Sequence, residues 1–236
     1  MQVAVAKVNK YASSESGDTV EIIERPRGGL SAVMADGQRS GRSAKVISNI
    51  VVRKAISLLA EGVRDGAAAR ATHDYLQVHR SGKVSAELNI VSVDLDTKSL
   101  VISRNSHCPV IVRRVAQTTT LDDSSSAIGI YSKTKPAITE FALEADTTIV
   151  AFTDGVFDAG ARSGTLIQIP QLLEAIDGEN STSAVNIADS VLAEAMRLED
   201  DRPRDDATVL VVKVCSFLKQ GTHQDKIRRM SMRFPL

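Results

Sequence analysis

Apolar and polar residues alternate from the first positions, "QVAVAKVNKY", which predicts a half-buried strand at the start of the chain. "DTVEIIE" and "LSAVMAD" read as two further strands joined by the turn residues "RPRGG", a hairpin signature. From about Ser43 to Gly62 the period changes. Val46, Ile47, Ile50, Val51, Ile56 and Leu59 recur at helical spacing, and a second helix is predicted over about 65–80. Strand patterns then return in "VSAELNIVSVDL", "SLVISRN", "PVIVRRV", "TEFAL" and the almost wholly apolar "TTIVAFT". Helices are predicted at 168–176 and 183–199, and a last strand, "ATVLVVKV", at 207–214. "VAQTTTLDDSSS" reads as loop. Strands, two helices, strands, two helices and a strand do not make the regular alternation of a doubly wound fold. The order predicts an α+β chain with antiparallel sheets and helices segregated onto outer faces.

Composition narrows the functional classes. The chain has 236 residues, 43% of them hydrophobic, enough for a sizeable core. Its 29 basic and 29 acidic residues cancel, which gives no footprint for nucleic acid or a membrane surface. Aromatics are 3%, with no Trp, too few for base-stacking platforms. Two cysteines, Cys108 and Cys215, make no disulfide framework, so a reducing cytoplasm is expected. No apolar run is long enough for a signal peptide or a membrane span, and no separate sensor domain is visible. The composition shifts at Cys215. Residues 1–214 are expected to form one domain and 215–236 a basic tail carrying Lys219, Lys226, Arg228, Arg229 and Arg233.

Four short pieces place an aspartate beside a strand end or turn: "SGD" (Asp18), "MADGQRSG" (Asp36), "AFTDGVFDAG" (Asp154) and "RPRDDATVLVV" (Asp205 and Asp206). A carboxylate at the end of a buried strand is poorly hydrated, and several converging on one edge repel unless cations neutralise them. Oxygen-only donors select hard cations over zinc. Gly37 and Gly155 directly follow their aspartates and allow a tight turn or a close backbone approach. Any one such piece is an ordinary turn signal; the argument rests on the ordered set.

That set, with "RNSHCP" and "SAIGIY" between its members, resembles the motifs of the metal-dependent Ser/Thr protein phosphatases (the PPM or type-2C family) in the SpoIIE-like branch. "DGQRSGRSA" lacks the Gly-His often found there and is similar to small stand-alone RsbX-type phosphatases. The resemblance implies a four-layer α-β-β-α sandwich, two packed antiparallel sheets flanked by helices. It implies two Mn²⁺ or Mg²⁺ ions that activate a water against phosphoserine or phosphothreonine on a bacterial regulatory protein, such as an anti-sigma antagonist or stressosome protein of a partner-switching or stress-response pathway. By position, Asp36 is the expected bridging ligand and Gly37 a carbonyl ligand. Asp154 and Asp205 are expected on the second metal, and Asp18 on the waters of the first. Asp206 ranks below Asp205. "SHCP" has Ser where the family usually has Gly. The family's phosphate-contacting Arg has no clear counterpart, and Arg39 and Arg42 are the candidates.

Two other readings compete. A catalytically silent scaffold of the same fold would have lost a metal carboxylate, and none of the expected four is missing. "SHCPVIVRR" also has the H-C-x5-R spacing of a cysteine phosphatase, with Cys108 as nucleophile and Arg114 as clamp. Such a loop curls successive N–H groups around phosphate. Pro109 has no N–H, and Val110, Ile111 and Val112 favour an extended strand. The stretch fits a turn leading into a strand.

Overall fold

A computed structural model describes residues 1–114 and 117–215. Its strands are β1 (Gln2–Val8), β2 (Asp18–Glu24), β3 (Gly29–Gly37), β4 (Ala86–Asp94), β5 (Ser99–Asn105), β6 (Val110–Arg114), β7 (Gln117–Leu121), β8 (Ala137–Ala142), β9 (Thr147–Phe152) and β10 (Ala207–Val214). The helices are α1 (Gly41–Ala60), α2 (Asp65–His79), the single turn α3 (Asp154–Phe157), α4 (Ile169–Asp177) and α5 (Ala184–Leu198). The strands form two five-stranded antiparallel sheets, ordered β1-β10-β9-β6-β7 and β2-β3-β4-β5-β8.

The period-two patterns sort side chains between three cores. On the inner faces, Ala32 and Met34 of β3 and Val91 and Val93 of β4 meet Ile149 and Ala151 of β9 and Leu210 and Val212 of β10. The alternate positions face outward. Val33, Ala35, Leu88 and Ile90 pack under α1 and α2, and Val150, Phe152, Val209 and Val211 pack under α4 and α5. Each sheet is thus covered on both faces, and the result is the expected four-layer sandwich.

One element departs from expectation. Gln117–Leu121, read as loop, forms β7 and pairs with β6 from Val110↔Leu121 to Arg114↔Gln117. "QTTTL" has no apolar alternation because it is an edge strand with little to bury. Its threonines suit a pleated backbone, and β6 supplies the hydrogen bonds. Beyond Cys215 the basic tail lies outside the described residues.

Buried charge pins α4 to its sheet. Lys213 Nζ lies 2.7 Å from both carboxylate oxygens of Asp177 and 2.8 Å from the Thr182 carbonyl. The Arg113 guanidinium donates to the carbonyls of Asp177 and Gly178 and to Asn180 Oδ1, closing the free carbonyl end of α4. Among the described residues no helix is long and apolar enough to cross a membrane.

Candidate metal centre

Strand register brings the acidic residues together. Across the β2–β3–β4 ladder, Asp18 pairs with Asp36 and Asp36 with Glu87, so three carboxylates form one row on the inner face of their sheet. From the other sheet, β9 runs into Asp154, and Asp205 and Asp206 directly precede β10. The two groups meet where the apolar inter-sheet core ends.

Close backbone packing holds this arrangement. A Cβ on Gly37 would stand 2.1 Å from the Ala44 carbonyl oxygen, and one on Gly17 would stand 2.7 Å from the Ala44 side chain. The start of α1 therefore presses on both strands of the first hairpin. A Cβ on Gly155 would stand 2.3 Å from the Asp206 carbonyl oxygen, so the absence of a side chain lets the Asp154 turn sit against the Asp205–Asp206 segment.

Asp18 is fully buried and lies between the sheets. Its Oδ2 accepts from Thr208 Oγ1 at 2.6 Å and Thr153 Oγ1 at 3.0 Å, both from the opposite sheet. Its Oδ1 is buried with no hydrogen-bond donor among the described residues, and so is Asp154 Oδ1. The Lys7 and Lys45 ammoniums each lie 2.7 Å from the Asp18 main-chain carbonyl. Burial, helped by the charge of Lys45, lowers the Lys7 pKa to about 8.

Asp36, Asp18 and Asp154 are held above the ordinary carboxylate range. For Asp36 the cause is burial, then the negative charges of Asp18, Asp154, Glu87 and Asp205. Burial also raises Asp18, against the opposing effect of the two threonine hydroxyls. Asp154 rises to about 6 through burial and the neighbouring charges of Asp205 and Glu87. Five carboxylates gathered at one rim, two of them with a buried oxygen lacking any donor among the described residues, fit hard divalent cations. No Lys or Arg ammonium or guanidinium pairs with these oxygens among the described ion pairs.

All the residues singled out in the sequence, Asp18, Asp36, Gly37, Asp154 and Asp205, fall at this rim. Asp206 does different work. Its Oδ1 accepts from the Lys10 N–H at 2.9 Å and its Oδ2 from the Gly17 N–H at 2.7 Å, so it clamps the loop between β1 and β2. Glu87, Thr153 and Thr208 were not anticipated. Glu87 carries no turn signal, and only the β3–β4 register brings it to Asp36. Arg39 and Arg42 are exposed near the start of α1.

The cysteine reading is excluded by geometry. Cys108 lies two residues before β6 and Arg114 is the last residue of that strand, which puts them about 20 Å apart at a strand's rise per residue. The Arg114 guanidinium is instead 2.5 Å from Glu144. Burial and the charges of Glu87 and Asp154 push the Cys108 thiol far above its ordinary pKa, which disfavours a thiolate nucleophile.

Two packed antiparallel sheets flanked by helices match the fold of PP2C-type phosphatase domains. The structure aligns with the PP2C phosphatase domain of the cell fate determinant SpoIIE from Bacillus subtilis at a TM-score of 0.76. The alignment has 21% identity and covers 90% of this chain and 62% of the other. RsbX, solved in complex with magnesium, aligns at a TM-score of 0.68 with 15% identity, covering 89% of this chain and 93% of the other. In sequence, stage II sporulation protein E of Bacillus subtilis (strain 168) is 22% identical over 222 residues. That match covers 91% of this chain but only 26% of the relative, so the chain spans about a quarter of that protein's length. The family described as stage II sporulation protein E (SpoIIE) matches residues 26–215, and the chain belongs to this family.

Proposed function

We propose that this protein is a Mn²⁺- or Mg²⁺-dependent phosphatase acting on phosphoserine or phosphothreonine in a regulatory protein of a bacterial partner-switching or stress-response pathway, and that it works in the cytoplasm. The observation that carries the reading is the rim of five carboxylates, with the Asp18 and Asp154 oxygens buried and undonated. Two divalent cations fit better than one, since a single ion would leave most of the cluster's charge unbalanced. When bound, such ions supply Lewis acidity for attack of water on a phosphoryl group and stabilise charge on its oxygens.

The chain's own residues do the positioning. Asp36 sits at the centre of the row, between Asp18 and Glu87 along the sheet and opposite Asp154 and Asp205, where a carboxylate can serve two cations. Asp154 and Asp205 face it from the second sheet, and Gly37 and Gly155 let the backbone close on the site. Thr153 and Thr208 hold one oxygen of Asp18, which leaves Oδ1 for a cation or its water. The magnesium in the RsbX complex supports the choice of metal class.

The test is hydrolysis of p-nitrophenyl phosphate and of a phosphoserine protein, with and without Mn²⁺. Asp36→Asn is expected to abolish metal-dependent turnover and Cys108→Ser to leave it largely intact. The opposite pair of results would overturn the reading.

A further inference from the structure

A second donor set of different chemistry adjoins the aspartates and shares Glu87 with their row. The turn between β5 and β6 crosses from one sheet to the other and places His107 and Cys108 next to Glu87. A carboxylate oxygen of Glu87, a ring nitrogen of His107 and Cys108 Sγ all lie within 4.8 Å of one another.

Hydrogen bonds fix these groups. Glu87 Oε1 is 2.5 Å from His107 Nδ1 and accepts the His107 backbone N–H at 3.1 Å. Glu87 Oε2 accepts from Ser106 Oγ at 2.5 Å, and Ser106 Oγ accepts the Cys108 N–H at 3.0 Å. The carboxylate against Nδ1 favours the proton on that nitrogen, so in the neutral ring Nε2 is the nitrogen with the lone pair. Against the lowering effect of burial, the hydrogen bond and charge of Glu87 also raise the His107 pKa, so a cation at Nε2 displaces a proton there. That Nε2 is 3.8 Å from Cys108 Sγ. Tetrahedral zinc, with Zn–S near 2.3 Å and Zn–N near 2.1 Å, would separate two such ligand atoms by about 3.6 Å. Sulfur and imidazole donors select Zn²⁺ over Mg²⁺ and Mn²⁺, the reverse of the oxygen-only aspartates. A carboxylate behind the second ring nitrogen is the usual support of a metal-bound imidazole. Cys108 is buried, whereas the His107 side chain is 54% exposed, so the site opens to solvent on the histidine side.

We propose that Glu87, His107 and Cys108 form a binding site for one divalent cation of the Zn²⁺ class, ligated by Cys108 Sγ and His107 Nε2, with Glu87 holding the imidazole through Nδ1. On binding, the Cys108 thiol gives its proton to solvent and the S–metal bond forms; no redox change is involved. Solvent completes the coordination. The site does not depend on phosphatase activity.

Co²⁺ titrated into the whole chain under anaerobic, thiol-free conditions tests this directly. The expected result is a sulfur-to-cobalt charge-transfer band in the near ultraviolet that saturates, whatever Co²⁺ the aspartate centre also takes up, and is discharged by Zn²⁺. Cys108→Ser should remove the band. His107→Ala should weaken binding by at least about tenfold, and Glu87→Gln by about 10–100-fold with the band retained at saturation. Cys215→Ser and Asp36→Asn should keep the band, which separates this site from the aspartate centre. Cys108→Ala serves as the thiol deletion should the serine variant not fold. Absence of the band in the native chain, its survival without the Cys108 thiol, or its loss in Cys215→Ser would overturn the proposal.

Discussion

Replacing Asp36 by Asn removes the central charge of the carboxylate row without changing its shape, and the cation-free protein should become more stable. In the folded chain Asp36 is held above the ordinary range by burial and by four neighbouring carboxylates, whereas in the unfolded chain its pKa is about 3.9. The folded state therefore binds the proton more tightly. The resulting penalty is absent below about pH 4 and grows by about 1.4 kcal/mol per pH unit as pH rises towards the folded value. At pH 7 that ceiling is about 4 kcal/mol, and sharing of protons among the neighbours brings it to about 2 kcal/mol. Asn carries no charge at any pH and escapes the penalty. For a chain of this size, 2 kcal/mol corresponds to about 4–8 °C in Tm. Thermal unfolding followed by circular dichroism in EDTA at pH 5 and pH 8 measures it. The variant's advantage should be larger at pH 8 than at pH 5, and saturating Mn²⁺ should raise the Tm of the native chain well above that of the variant. A metal-free variant less stable than the native chain at pH 8, or equal stabilisation of both by Mn²⁺, would refute the electrostatic account.

Two further outcomes follow from particular contacts. Thr208→Val deletes the 2.6 Å hydroxyl bond to Asp18 and should weaken Mn²⁺ binding by about 10–100-fold in a calorimetric titration, with little loss of fold. Lys213→Met strips the buried Asp177 side chain of its ammonium partner and should destabilise the protein by about 3–5 kcal/mol in urea unfolding; adding Asp177→Leu should recover part of that loss.

The layers were legible because every central strand buries both faces, so its period and its apolar content announce it. The aspartates were legible because each stands beside a strand end or turn, three of them directly against a strongly apolar strand. Glu87 escaped notice because "AELNIV" reads as plain strand, and its meeting with Asp36 depends on a register that pattern alone does not specify. The two carboxylates of "DDAT" are indistinguishable in sequence. Only the path of the loop before β2 shows that Asp206 is spent on the Lys10 and Gly17 amides. The pairing of Lys213 with Asp177 was hidden for a similar reason: a lysine near the end of an apolar strand looks exposed until α4 is packed over it.

The pairing of Gln2 with Lys213 brings the start of β1 beside the end of β10, roughly 5 Å apart. Val8 pairs with Ala207 at the acidic rim, so the ends emerge at the opposite pole, about 20–25 Å away along β10. A fusion partner, a surface tether or a fluorescent label attached there would leave the carboxylates uncovered. With residues 215–236 removed, a short linker across that gap would allow new termini to be opened elsewhere, and a circularly permuted chain should assemble the same sandwich.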